Sequence, residues 1–329
     1  MSSDPSSGPA VRAEGLSFRY GQRQALDGIG FLVERGAAHG FLGPNGSGKS
    51  TLFKLLSTLV PMQQGSVSML GFDLGREAKA LRHRLGVVFQ SPAVDQKLTV
   101  RENLRYGGLM IGLSGNELGA RIDAMLEAAR LGDRERDRVG ELSGGLRRRV
   151  EIAKCLLGRP EIVLLDEAST GLDPAARQDM WAVLRAQSEV TVLFTTHLMD
   201  EAAEADHLTL LDEGRIVATG RPAELVREVG DQVLEIESVD VESLRAQVRD
   251  EFGRDGDVVD GTLRIEGTGM HELIPAVMQR HGERVQRLQL SHPSLQDVFL
   301  RKTGKRFVVD EPELSGAAAG AAKGRRRRR

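Results

Sequence analysis

The stretch Gly43-Pro44-Asn45-Gly46-Ser47-Gly48-Lys49-Ser50-Thr51 restricts what this 329-residue chain can become more than any other part of it. Its glycines, followed at once by Lys and Ser, lie between an apolar run at 38–42 that reads as a buried strand and an apolar segment at 51–59 that reads as a helix. A strand, a glycine-rich turn and a helix in that order make a concavity at a helix N-terminus, where successive N–H groups point inward and favour an anion. Lys49 then reaches the terminal phosphates of a bound ligand, and the Ser50 hydroxyl holds Mg²⁺.

The segments downstream supply the frame such a loop needs. Continuous apolar runs at 162–165 and 191–196 read as buried parallel strands, with a helical segment at 174–186 between them. The alternation predicts an α/β fold with a mainly parallel sheet covered on both sides, and ligands at the carboxyl ends of its strands. Asp166-Glu167 and His197 end two of those strands, and Gln90 ends another strand-like segment, 85–89. Two carboxylates at the end of a buried strand are costly unless a metal or hydrogen-bond donors compensate them. Tyr20 ends the strand-like segment 11–20 and is either a stacking surface for a base or a packing residue.

Between about residues 95 and 145 the pattern turns helical, with Ile122, Met125, Leu126 and Ala129 at three- and four-residue spacing. This block reads as a subdomain inserted into the nucleotide-binding core. It runs into Leu142-Ser143-Gly144-Gly145, where Ser143 is a good N-cap and two glycines leave first-turn N–H groups open to an anion.

Taken in order, these pieces closely resemble the ATP-binding subunit of an ABC transporter over about residues 10–225. The Walker A loop is Gly43 to Ser50, the Q-loop glutamine is Gln90, and the signature is Leu142 to Gly145. The Walker B strand is Ile162 to Asp166 with Glu167 after it, the D-loop is Ser169 to Asp173, the switch histidine is His197, and Tyr20 matches the aromatic that stacks on adenine. Two positions depart from the family: Leu146 stands where Gln is usual, and Ala168-Ser169 where Pro-Thr is usual. An apolar residue followed by Arg147-Arg148-Arg149 is similar to the drug- and antibiotic-exporter branch, as is the ending His292-Pro293-Ser294-Leu295-Gln296-Asp297-Val298-Phe299-Leu300.

The resemblance implies an ABC-type P-loop NTPase domain that binds and hydrolyses ATP. Mg²⁺ would be held by Ser50, Gln90 and Asp166, Glu167 would orient and deprotonate the water, and His197 would contact the γ-phosphate. Ser143, Gly144 and Gly145 would act in trans, on ATP bound to a second copy or a homologous subunit in a head-to-tail dimer. Separate transmembrane permease subunits would receive the motion, with this chain peripheral on the cytoplasmic face of the membrane and export the expected direction. The rival is a soluble ABC-type ATPase acting on nucleic acid or ribosomes; such proteins usually join two cassettes or insert a long coiled coil, whereas this sequence has one cassette and no sustained heptads.

Beyond Gly220-Arg221-Pro222 the elements change to the order β-α-β-β-α-β, with Asp260-Gly261 as a hairpin signal, predicting a small α+β ferredoxin-like domain at 230–305. Residues 1–9 and 306–329 read as disordered; the last ends in five arginines, either a solvated tail or a segment attracted to an anionic bilayer. Charge is otherwise nearly balanced, at -2 overall, which gives no reason to expect nucleic acid as a partner. The single cysteine, Cys155, excludes an internal disulfide and fits a reducing compartment. With neither a signal-peptide pattern nor a long apolar run, the chain is expected to be soluble and to reach a membrane by docking to a spanning partner.

Overall fold

Alternating inward and outward side chains make an antiparallel ribbon of the first two strands, β1 (Val11–Tyr20) and β2 (Arg23–Val33), with Val11 opposite Val33 and Tyr20 opposite Arg23. The computed structural model describes residues 8–187 and 189–307; the expectations for a leader through residue 7 and for the basic tail from 308 lie outside the described residues. The chain continues through β3 (Ala38–Leu42), α1 (Lys49–Leu56), β4 (Gln64–Met69), β5 (Phe72–Asp73), α2 (Ala78–Arg82) and β6 (Leu85–Val88). β1, β2, β4 and β5 form an antiparallel sheet of their own, in the order β2-β1-β4-β5. The sequence pattern did not separate this sheet from the parallel one, because alternation marks a strand without naming its partner.

The helical block is α3 (Val100–Met110), α4 (Gly115–Ala128) and α5 (Gly144–Leu156). Thr99 and Glu102 close a capping box at the start of α3, which accounts for the sharp entry into helix there. After it come β7 (Ile162–Asp166), α6 (Pro174–Arg185), β8 (Thr191–Thr196), α7 (Met199–Ala202), β9 (His207–Asp212), β10 (Arg215–Gly220) and α8 (Pro222–Val229). These strands join β3 and β6 in the order β10-β9-β3-β8-β7-β6, parallel except for β10, which runs antiparallel to β9. β7 and β8 are buried at every position, as strands covered on both faces must be. One apolar core lies between the two sheets and α1, around Phe41, Leu52 and Leu164; a second joins the helical block to α6, around Leu104, Ile152 and Phe194.

The C-terminal elements are β11 (Gln232–Ser238), α9 (Val241–Phe252), β12 (Asp257–Val259), β13 (Thr262–Gly267), α10 (Met270–His281), β14 (Val285–Ser291) and α11 (Leu295–Thr303). Their sheet is antiparallel in the order β12-β13-β11-β14, the arrangement that a ferredoxin-like β-α-β-β-α-β unit folds into. Asp260 and Gly261 both take positive φ, 49° and 77°, and make the tight β12–β13 turn. Helix α11 bridges two units: Leu295, Val298 and Phe299 pack with Leu208, Leu210 and Leu225, while Asp297 pairs at 2.6 Å with the buried Arg264 of β13. No described helix is long and apolar enough to cross a membrane.

Candidate functional site

The chain turns back between the end of β3 and the start of α1 because Gly46 and Gly48 take φ of 82° and 106°. Gly43 is required for a different reason: a Cβ there would sit 2.4 Å from the Leu211 carbonyl oxygen and 2.5 Å from Ser47 Oγ. The neighbouring β9–β10 turn braces the loop, with Gly214 N–H donating to the Ser47 carbonyl at 3.0 Å. Inside the cradle Lys49 is 3 % exposed; its ammonium donates to the carbonyls of Gly43 (2.7 Å) and Pro44 (3.0 Å) and stands 3.7 Å from Glu167 Oε1. Burial pulls its pKa down, opposed by the charges of Glu167 and Asp166. Ser47 Oγ is buried with no hydrogen-bond partner among the described residues, a cost that a bound anion-bearing ligand would remove.

Across the cradle the parallel register brings the ends of β7 and β8 together, Asp166 opposite Thr195. Thr195 Oγ1 donates to Asp166 Oδ1 at 2.7 Å and accepts from the Glu167 N–H at 2.9 Å, so one hydroxyl orients both carboxylate residues. Ser50 Oγ donates to Asp166 Oδ1 at 3.5 Å. Burial raises the Asp166 pKa. Glu167 has φ of 47°, uncommon for a residue with a Cβ and the kind of local strain that collects at working sites. His197 Nδ1 lies 3.5 Å from Glu167 Oε2, and Gln90 Nε2 donates to that oxygen at 3.3 Å. The nearby His197 and then Lys49 hold the Glu167 carboxyl below its ordinary range, against burial.

A cavity of about 200 Å³ opens over this cluster, lined among others by Tyr20, Arg23, Asn45, Lys49, Thr51 and Glu167. Tyr20 is 45 % exposed and meets Phe18 edge to face at 4.9 Å. The hydroxyl of Ser50, the carboxylate of Asp166 and the side-chain amide of Gln90 are hard oxygen donors of the type Mg²⁺ takes, so the residues present fit that ion.

The signature residues are not part of this cluster. Ser143 caps α5, accepting from the Leu146 N–H at 3.3 Å, and neither it nor Gly144 or Gly145 lines the cavity. The two departures from the family pattern have local explanations. Leu146 packs on the core of the helical block, and Ala168 is buried while Ser169 donates to Glu201 at 2.6 Å. Sequence reasoning missed Thr195, which reads as one more β-branched strand residue, and Glu201, which also accepts from Trp181 Nε1 at 3.2 Å. The only signal for Thr195 was a polar atom inside an apolar strand run, and Glu201, in the short helix α7 beside the exposed Asp200, gave none.

Among known families, the one described as ABC transporter matches residues 26–170. The daunorubicin resistance ATP-binding protein DrrA2 of Streptomyces coeruleorubidus is 38 % identical over 314 residues, covering 91 % of this chain and 96 % of that protein. The Nod factor export ATP-binding protein I of Burkholderia lata is 38 % identical over 292 residues, covering 87 % of this chain and 94 % of that protein. A solved dimeric ATP-binding cassette in a post-hydrolysis state, bound to ADP and Pi, superposes with a TM-score of 0.58 at 25 % identity, over 64 % of this chain and 98 % of that one.

Proposed function

This chain belongs to the ABC transporter ATP-binding family, and on that premise we propose how its residues divide the work of hydrolysis and what kind of cargo that hydrolysis drives. It is an ATP-binding and ATP-hydrolysing subunit that powers a transporter. Phosphoryl transfer asks the protein mainly for positioning and charge neutralisation. Lys49 and the loop amides from Gly43 to Thr51, with Pro44 and Asn45 in the turn, hold the phosphates, and Tyr20 stacks on the adenine. Ser50, Gln90 and Asp166 would hold Mg²⁺, which would supply positive charge to offset that of the phosphates. Glu167 is kept ionised at neutral pH, orients the attacking water and takes its proton, while His197 contacts the γ-phosphate. The observation that carries this reading is the convergence of Lys49, Gln90 and His197 on one carboxylate, at 3.3–3.7 Å.

Such cassettes act as dimers. Since Ser143, Gly144 and Gly145 stand outside the cavity that their own chain builds, they act on ATP held by a second copy, or by a homologous subunit, docked head to tail. The membrane-spanning permease subunits dock beside the Gln90 segment, where Val88, Ala93, Met110 and Ile111 line a cavity of about 350 Å³ and Met110 is 85 % exposed. The chain then lies on the inner face of the membrane. The names of its relatives, one a daunorubicin resistance protein and one a Nod factor export protein, support export as the direction, and we take the cargo to be a drug-like, antibiotic or lipid-like compound; no observation favours work on nucleic acid or ribosomes.

Substituting Glu167→Gln tests the chemistry. Turnover should fall by about 10²–10⁴-fold, with ATP-bound dimer accumulating on size-exclusion chromatography. Hydrolysis at the wild-type rate would sink the assignment of Glu167. Co-purification with a polytopic membrane subunit tests the partnership.

A further inference from the structure

Helix α5 carries more than the signature at its N-terminus. Arg148, Glu151 and Lys154 follow at three-residue intervals, so they share one face of the helix, and that face meets the irregular segment from Phe89 to Ala93. The Arg148 guanidinium donates to the Phe89 carbonyl at 3.0 Å through one terminal nitrogen and to the Gln90 carbonyl at 3.2 Å through the other. It also meets Glu151 Oε2 at 2.6 Å. The second oxygen of Glu151 accepts the Ala93 N–H, and Lys154 Nζ donates to the Ala93 carbonyl at 2.8 Å. Arg148 and Glu151 are 6 % and 5 % exposed.

A segment without ladder partners must satisfy its backbone groups elsewhere, and here one helix face satisfies both ends of it. Burying an ion pair gains little stability by itself, so its cost calls for a reason beyond holding the fold together. The reason is at the other end of the glutamine. The backbone that Arg148 grips belongs to the residue whose side-chain amide lies 3.3 Å from Glu167 Oε2. A planar fork with donors on two nitrogens can span successive carbonyls, whereas an ammonium at the same place cannot reach both and Glu151 together.

We propose that Arg148, seated by Glu151, is a positioning residue for ATP hydrolysis: it fixes the backbone at Phe89–Gln90 so that the Gln90 amide stays aligned with Glu167. Because the helix that does this begins at Ser143, the glutamine of one composite site and the signature offered to the next move as one body. The inference rests on the roles given to Gln90 and Ser143 above, and its test separates the two.

ATPase rates of the full chain are measured against ATP concentration for wild type, Arg148→Lys, Glu151→Gln, Gln90→Ala and the double variant Gln90→Ala/Arg148→Lys, with urea midpoints recorded for each. Misplacing a contacting group lowers kcat without weakening the cradle, so Arg148→Lys is expected to lose between about tenfold and about a hundredfold in kcat, with KM for ATP within about twofold. Glu151→Gln, nearly isosteric and still able to accept from Ala93, is expected to shift kcat in the same direction, and it decides the matter if Arg148→Lys does not fold. The double variant should be no slower than Gln90→Ala alone, because Arg148 acts through Gln90. If Gln90→Ala slows the enzyme while Arg148→Lys and Glu151→Gln do not, or if the two losses multiply, the clamp is overturned. If Gln90→Ala itself keeps the wild-type kcat, the role of Gln90 is overturned instead, and the clamp with it.

Discussion

Acidification is expected to weaken the strand that carries the phosphate loop, through His39. This residue lies on β3, 3 % exposed, with Nε2 2.9 Å from Thr209 Oγ1 and its ring stacked on that of His207 at 6.3 Å. Burial, followed by the charge at His207, pushes its pKa from 6.5 down to about 4. Below pH 6.5 the unfolded chain takes up a proton that the folded chain refuses until about pH 4, so stability falls with pH across that window and rises as pH is restored. At about 1.4 kcal/mol per pKa unit the full loss is about 3 kcal/mol, of which about 2 kcal/mol is reached by pH 5. That is a large share of the roughly 5–15 kcal/mol by which domains are stable. Urea unfolding followed by Trp181, the chain's single tryptophan, 6 % exposed against Phe194, reads it out. Comparing wild type with His39→Gln at pH 7 and pH 5 cancels the carboxylates common to both. The wild type should lose about 2 kcal/mol more than the variant. Equal losses would refute the argument that burial keeps this imidazole neutral.

Three further outcomes are expected. Lys49→Ala removes the buried ammonium that faces the phosphates, and calorimetry should show ATP affinity lower by about 2–3 kcal/mol, the worth of a charged hydrogen bond. Gly43→Ala drives a Cβ to 2.4 Å from the backbone oxygen of Leu211, so the loop must shift; ATP binding should weaken and stability should fall by about 1–3 kcal/mol, and unchanged affinity would show the cradle to be adaptable. Thr195→Val keeps the shape but leaves the Glu167 N–H without its acceptor, which should cost about 1–3 kcal/mol in unfolding experiments and lower kcat as well.

The parts of the site that are read from neighbouring residues are legible in the amino-acid sequence. A glycine loop before Lys49 needs only local backbone freedom, and the apolar run 162–165 ending in Asp166-Glu167 declares a buried strand with charge at its tip. The hairpin at Asp260-Gly261 and the order of C-terminal elements belong to the same class, since turn chemistry and periodicity act over a few residues. Other features depend on register between distant segments. That Thr195 orients Asp166 and Glu167, across 28–29 residues of chain, follows from the β7–β8 pairing. The separate antiparallel sheet, the β9–β10 turn against Ser47 and the grip of Arg148 on a loop 58–59 residues away are of this kind. The amino-acid sequence determined which chemical groups are present and which local shapes hold them. Only the tertiary structure decided that Lys49, Gln90 and His197 face one carboxylate while Ser143 stands outside the cavity, because a side chain's own residue sets its charge and reach, but the packing of remote strands and helices sets what it meets.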